Sequence, residues 1–521
     1  MKLLLIDPPH LVWGVFKGWI PSTAFLSLMA YLEKENVDFE FFDGTCAERP
    51  WHDLEALVKR MRPDLIGLSM HCTYFAPDAM NAARLIKSVH PNCKIIVGGA
   101  HPSGSARETL LECPQFDYIC MGEGEVTFTE FAKAFARGEG DFSRILGLAY
   151  FAPDGQFIFT GERPLIQDLD SLPMPAYHRI NMDHPYNGLP SEGARAWCMT
   201  FSRGCAYRCT FCTEPILWRG RWRGRSPQKI VDEIELLKEK YNRDTFFVGD
   251  DIFNMTRERT EGFIAEVRRR NRTDCHYWIQ SRADIIVRDA DLLDDLREVG
   301  VYQIMLGIEY HRDSTLNSLN KRASAEQNLK AMQLVKKHKL MLLATLLIGH
   351  WDETAADREA LMKFVRPYVD HFGLNVATPY PGTKFYDEMK GLGRIQVTDW
   401  SKYDQLQAVM PTAEEPDPAK ITRAHQDMMR RFYWHPKEIW RMLFSPNPIL
   451  RRHHRHFMKY GLEIAMHEIF GRPLWTQSNY QLFEDYCIET GRSPEQMKAY
   501  LTTVPETEKE RVGTTAAIGK K

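Results

Sequence analysis

FSRGCAYRCTFC, residues 201–212, holds Cys205, Cys209 and Cys212, three of the chain's eleven cysteines, within eight positions. The apolar run just before it, 197–201, reads as a strand and opens a series. Further candidate strands lie at 245–249, 276–281, 302–308, 341–348 and 372–377, with helical patterns such as 226–241 and 325–339 between them. Strands alternating with helices make a parallel sheet, and six such units predict a partial (β/α)6 barrel over 195–392. Reactive groups of βα barrels sit on the loops that follow the strands. Cys205 follows the first strand, so the sulfur falls on that rim.

Toward the N-terminus, short apolar runs at 2–6, 37–42, 64–70, 93–99 and 116–122 alternate with helical patterns at 22–35 and 77–89. They predict a doubly wound, Rossmann-like α/β domain over 1–140, with its ligand beyond the carboxyl ends of the strands. The loops there, DPPHLVWG (7–14), SMHCTY (69–74), GGAHPSG (98–104) and GEGE (122–125), are rich in glycine, which lets backbone approach a ligand closely. No G-x-G-x-x-G follows the first strand, which argues against a dinucleotide. A hairpin around Asp154 and Gly155 and a proline-rich linker, 163–177, fill 141–194. From 393 to 504 the pattern is helical and aromatic, and 505–521 is polar and reads as a disordered tail.

The formal net charge is −2, so no overall basic field recruits nucleic acid. No stretch is apolar enough for a transmembrane segment, and MKLLLIDPPH has too short an apolar run for a secretory signal. A cytoplasmic location is expected, where thiols stay reduced and clustered cysteines hold metal or do redox work. Thiolates hold zinc or iron–sulfur clusters. Structural zinc takes four ligands, usually as two separated pairs, whereas the spacing here is C-x3-C-x2-C. Cys198 lies on the candidate strand and points in another direction. Three ligands on a four-iron cluster leave one iron open to an external chelator, as a reactive cluster requires.

That spacing, with the aromatic Phe211 before the last cysteine, resembles the radical S-adenosylmethionine (SAM) superfamily. The resemblance implies a 4Fe–4S cluster on Cys205, Cys209 and Cys212, with SAM on the open iron and cleaved reductively to a 5′-deoxyadenosyl radical. It implies that Asp250 or Asp251, in FVGDDIFN (247–254), receives the SAM amino group. Ser281 and Arg282, in IQSRAD (279–284), would lie beside it, with Arg282 suited to a carboxylate. Glu309, in LGIEYHRDSTL (306–316), would bind SAM polar atoms. GHWDET (349–354) departs from the family's glycine-proline-glycine-glutamate form, and Trp351 and Glu353 receive no role. A small-molecule substrate and an electron donor such as a flavodoxin or ferredoxin are also implied.

A doubly wound domain ahead of such a barrel resembles the cobalamin-dependent branch of the superfamily, and VGGAHPS and MGEGEVTF look like its fourth- and fifth-strand loops. Cobalamin would then meet Asp7, His10 and Trp13 after the first strand, and Ser69, His71 and Thr73 after the third. Gly98, Gly99 and His101 would line the fourth loop, and Gly122, Glu123, Gly124 and Glu125 the fifth. DPPHLVWG does not match the D-x-H-x-x-G of base-off, histidine-on proteins, so no protein histidine is expected on cobalt.

The activity implied first is methylation of an unactivated carbon of a small molecule, through the 5′-deoxyadenosyl radical and methylcobalamin. Segments 209–237, 400–412 and 430–443 resemble the anaerobic magnesium-protoporphyrin monomethyl ester oxidative cyclase family. Radical cyclisation, oxidation or rearrangement without methyl transfer is therefore the alternative, and a non-catalytic cobalamin and iron–sulfur carrier is a third reading. A methylthiotransferase would need a second cysteine triad, and Cys46, Cys72, Cys93, Cys113 and Cys120 are too dispersed. The basic run ILRRHHRHFMKYG (449–461) reads as a solvated helix face, with an anionic substrate or an acidic membrane surface as its alternatives. Tyr380, after the sixth barrel strand, is a candidate to border substrate.

Overall fold

The computed structural model describes residues 1–9, 22–184, 195–444, 451, 455 and 483–499. His10, Trp13, residues 471–482 and most of 449–461 lie outside the described residues. The chain divides into two compact units: Met1–Leu11 with Asn36–Arg163 and Asn479–Lys521, and Val12–Glu35 with Pro164–Ser478.

The first unit is built on β1 (Leu3–Asp7), β2 (Glu40–Asp43), β3 (Leu65–Ser69), β4 (Lys94–Gly98), β5 (Tyr118–Cys120), β6 (Leu148–Phe151) and β7 (Phe157–Phe159), in the order β2-β1-β3-β4-β5-β6-β7. Every residue of β1 and β3 is buried, as expected of parallel strands covered on both faces. The first five strands are parallel, and the order of strand addition reverses between β1 and β3, the place where such sheets bind ligands. The hairpin, assigned by sequence to the 141–194 connection, instead extends this sheet: β6 pairs antiparallel with β5 through Ile119 and Ala149. It thereby covers what would be an unpaired edge.

Two segments pack where periodicity alone does not place them. The helix Thr23–Lys34, expected as a crossover of the front sheet, counts with the second unit. Its Leu26 carbonyl accepts from Ala176 N at 3.0 Å, and its Glu33 takes His178 at 2.9 Å and Arg179. The proline-rich segment is thus docked rather than free. The helix Phe483–Glu489 counts with the first unit, where Phe483 meets Trp51 with ring centroids 4.8 Å apart and Tyr486 and Arg492 bond Glu55. The 393–504 stretch therefore divides between the two units.

The second unit holds β8 (Ala196–Met199), the short antiparallel pair β9 (Ser202–Arg203) and β10 (Arg223–Gly224), then β11 (Thr245–Val248), β12 (His276–Ser281), β13 (Val301–Glu309), β14 (Met341–Ile348) and β15 (His371–Val376). Six of them form an all-parallel half-barrel in the order β15-β14-β13-β12-β11-β8. Residues of one parity, such as Phe246, Tyr277, Ile279, Ile304 and Leu342, are buried. They face outward to helices: Phe263 of Arg257–Arg269 meets Tyr277 at 5.4 Å between centroids. The other parity, Phe247, Trp278, Gln280, Met305, Thr345 and Asn375, is only half-buried. The concave face is therefore open to a ligand.

Candidate active site

In the first unit the strand ends bring Asp7, Ser69, Gly98 and Cys120 onto one edge, with Ser69 in register with Gly98 and Gly98 with Cys120. Gly99 has φ +127°, and a Cβ there would lie 2.2 Å from the Met70 carbonyl oxygen, so only glycine turns the chain at this point. Nothing stands within 4 Å of where a Gly122 Cβ would be, and Gly122 N donates to Ser103 Oγ at 3.1 Å. Two hydroxyl–imidazole pairs flank this bare strip: Ser69 Oγ with His71 Nδ1, and Thr73 Oγ1 with His101 Nδ1, each at 3.1 Å. Glu123 precedes the helix Gly124–Ala136, and Glu125 is buried in its first turn, where a carboxylate favours the helix dipole. Bare backbone edged by hydroxyls fits an extended nucleotide tail. Ser103 is not legible as a site residue in the sequence, because a serine beside glycines carries no signal of its own.

Burial pushes the His101 imidazole down to about 4, so it is neutral at physiological pH. The unfolded chain then binds a proton that the native one refuses between pH 6.5 and 4. Stability is full above pH 6.5 and is lost as pH falls toward 4, by about 3 kcal/mol at most. Urea midpoints of the protein across this window should fall, and His101→Gln should flatten the slope. An equally steep slope in that variant would locate the effect elsewhere.

In the second unit the cysteine loop begins at Gly204, φ +88°, where a Cβ would meet the Arg221 carbonyl oxygen at 2.2 Å. From there the loop is held by elements that follow distant strands. Thr210 N donates to the Leu319 carbonyl and Phe385 N to that of Thr210, both at 3.0 Å. Asn320 Nδ2 donates to Arg208 O at 2.7 Å, and Phe211 packs on the Leu319, Leu347, Phe385 and Met410 cluster. Tyr207 OH reaches Asp284 at 2.5 Å while the Arg282 guanidinium stacks 3.4 Å above its ring. Cys205, Cys209 and Cys212 are free and partly exposed. Burial pushes the Cys205 thiol up to about 11, and burial with Glu214 nearby pushes that of Cys212 well up, so loading a metal must displace protons. Among the described residues no three His, Cys, Asp or Glu side chains meet at one ion-sized point. Thiolates that ligate three different irons of a cluster need not converge so closely.

The two aspartates after β11 have different surroundings. Asp250 is fully buried and accepts from Phe201 N at 2.6 Å, Ser202 N at 2.9 Å and Ser202 Oγ at 2.6 Å, with Arg259 3.6 Å away. Asp251 lies against Glu214 and the Cys205 and Cys212 thiols, and burial with that second carboxyl pushes it well up. Arg282 bonds Asp284 at 3.0 Å and the Lys321 carbonyl at 2.6 Å. Ser281 Oγ donates to Asn254 Oδ1 at 2.7 Å, and buried Asn254 Nδ2 has no acceptor. Glu309, with φ +59°, accepts at Oε1 from Lys321 Nζ at 2.7 Å. A Cβ at Gly307 would sit 2.5 Å from that ammonium, so glycine makes room for the pair. Lys321, Glu214 and Asn254 were missed as site residues. Of these, only Glu214, a carboxylate two places from a thiolate, left a local signal. Glu353 accepts from Gly349 N at 2.7 Å and Arg358 at 3.0 Å, closing the turn after β14. Arg394 stacks 3.2 Å over Trp351, and Tyr380 OH donates to Tyr403 O at 3.0 Å.

Residues 9–132 match the family model of the B12 binding domain, and residues 199–365 match that of the radical SAM superfamily, one on each sheet. The chain belongs to the cobalamin-dependent radical SAM enzymes. Cofactors of this radical SAM enzyme are therefore a 4Fe–4S cluster, SAM and cobalamin. It is 28% identical over 453 residues to an uncharacterized methyltransferase of Pyrococcus horikoshii, covering 85% of this chain and 95% of that one. It is also 28% identical over 489 residues to the anaerobic magnesium-protoporphyrin IX monomethyl ester cyclase of Rubrivivax gelatinosus, covering 91% and 85%. The cobalamin-dependent SAM radical enzyme OxsB shares its fold, with a TM-score of 0.67 at 16% identity over 100% of this chain and 81% of that one. No helix among the described residues is long and apolar enough to cross a membrane.

Proposed function

We propose that this radical SAM enzyme moves a methyl group from SAM to an unactivated carbon of a small molecule. The observation that carries the reading is the B12-binding unit joined to a radical SAM unit on a chain that aligns with 95% of an uncharacterized methyltransferase. When bound, the cofactors supply hydrogen abstraction from carbon and a transferable methyl group, chemistry beyond any side-chain base.

The protein's own part is to hold and orient. Cys205, Cys209 and Cys212 offer three thiolates on a loop pinned by Leu319, Asn320 and Phe385. Asp251 takes the SAM amino group, since Asp250 is committed to the backbone. Glu309, steadied by Lys321 through one oxygen, offers the other to SAM, and Asn254 Nδ2 offers a donor to a SAM oxygen. A flavodoxin or ferredoxin supplies electrons, and the enzyme works in the cytoplasm.

Anaerobically reconstituted, reduced enzyme is incubated with methyl-deuterated SAM and candidate substrates. Methyl transfer yields S-adenosylhomocysteine together with 5′-deoxyadenosine, and a product carrying deuterium. Formation of 5′-deoxyadenosine alone, with an unlabelled cyclised or oxidised product, would replace this reading with the cyclase chemistry.

A further inference from the structure

Arginines crowd the cysteine loop and the turn that follows it, at 203, 208, 219, 221, 223 and 225, with Glu214 the one acid among them. Three of them serve the fold. Arg225 pairs with Glu233, Arg223 is buried and donates to the Ile166 carbonyl at 2.6 Å, and Arg203 donates to Ser27 Oγ at 3.1 Å. Arg208 and Arg221 are exposed instead. They are close together, because Arg208 Nη2 donates to the Arg219 carbonyl at 2.6 Å. A third joins them from the turn after β13. Asn320 Nδ2 holds the Arg208 carbonyl at 2.7 Å, and two residues further on Arg322 is exposed. Among the described residues none of these three guanidinium groups bonds a carboxylate. The acids beside them are engaged elsewhere. Glu214 accepts from Trp218 Nε1 at 2.5 Å, Asp284 from Tyr207 and Arg282, and Asp313 from Ala325 N at 2.7 Å. Glu326 lies in the first turn of the helix Ala325–Lys337, where it answers the helix dipole.

The place of this positive surface indicates its partner. Arg208 is the immediate neighbour of Cys209, which is itself partly exposed. A body seated on the arginines is therefore beside a thiolate of the cluster. Redox encounters use small interfaces, and opposite charge speeds them without making them tight. We infer that Arg208, Arg221 and Arg322 dock a small acidic one-electron carrier protein. One electron leaves the reduced carrier and enters the cluster, and no proton or group moves at this surface. The inference rests on the function proposed above only in its need for electrons from outside.

Anaerobic holoenzyme is mixed with an acidic flavodoxin. Binding of the oxidised carrier is measured by calorimetry, and bleaching of the cluster by the reduced carrier in stopped flow. Both should weaken in high salt. R208E/R221E, and separately R322E, should lose about tenfold or more in affinity and in reduction rate. Each should keep its iron content and its 5′-deoxyadenosine formation with dithionite, a small reductant that needs no docking surface. Variants that bind flavodoxin and are reduced by it like the parent would overturn the inference. Equal loss of the dithionite-driven reaction would overturn it too, by making these arginines supports of the SAM site. A parent enzyme that dithionite cannot drive to cleave SAM would instead strike the radical reading, and this inference with it.

Discussion

Replacing Cys209 with serine is expected to abolish SAM cleavage and leave the fold standing. The loop around it is held by contacts that do not use its thiol: Thr210 N to Leu319 O, Phe385 N to Thr210 O, and Asn320 to Arg208 O. Loss of one thiolate takes the reactive cluster below the three ligands it needs. Without the cluster only the uncatalysed route remains, so 5′-deoxyadenosine formation should fall at least ~10³-fold. The unfolding free energy of the cofactor-free protein should move by less than about 1 kcal/mol. Iron content and the visible thiolate-to-iron absorbance give an independent readout of the cluster. Cys198→Ser is the control. Cys198 lies on β8 in register with Phe247, and its Sγ would be 3.2 Å from a Cβ built at Gly249, so that variant should keep its iron and its activity. A cluster lost from Cys198→Ser would show that the ligand set has been misassigned.

The sequence made the two sheets legible because parallel strands buried on both faces leave nearly continuous apolar runs. β12 and β14 fall where those runs predict, and the others shift by only a few residues. The cysteine triad was legible because its chemistry is local. What stayed hidden depends on which surfaces meet. Glu309 and Lys321 pair across a strand end and a later turn, and Ser281 finds Asn254 on a neighbouring loop. The helix Thr23–Lys34 has an ordinary amphipathic pattern that does not say which unit receives it. The hairpin joins the front sheet because the β5 edge offers open hydrogen bonds, a vacancy that the hairpin's own residues cannot announce. Asp250 and Asp251 are the sharpest case, since two identical neighbours on a turn give the sequence no way to choose between them.

Their substitutions should separate folding from chemistry. Asp250→Ala removes the acceptor of Phe201 N and Ser202 N and the counter-charge of Arg259, whose guanidinium is buried and also holds the Phe253 and Phe201 carbonyls at 2.6 and 2.9 Å. Breaking a buried charged pair from one side costs roughly 3–5 kcal/mol, a large fraction of the roughly 5–15 kcal/mol that holds a domain together. The damage falls at the start of the cysteine loop, so iron loading should suffer as well. Asp251→Asn has the opposite expectation. It relieves two crowded carboxyls, because an asparagine amide can donate to Glu214 and its oxygen can still accept from Gly204 N, as the Asp251 carboxyl does. Stability should hold or rise slightly. The carboxyl that would give up its proton to receive an ammonium is replaced by an amide, however, and SAM affinity should drop by roughly 10–100-fold, the worth of a charged hydrogen bond. Urea midpoints and SAM titration of iron-loaded protein read the two effects separately. An Asp251→Asn enzyme that binds SAM like the parent would move the ammonium site elsewhere. An Asp250→Ala enzyme of parental stability would mean that Arg259 finds another partner, and that the aspartate is not the tie between β11 and the cysteine loop.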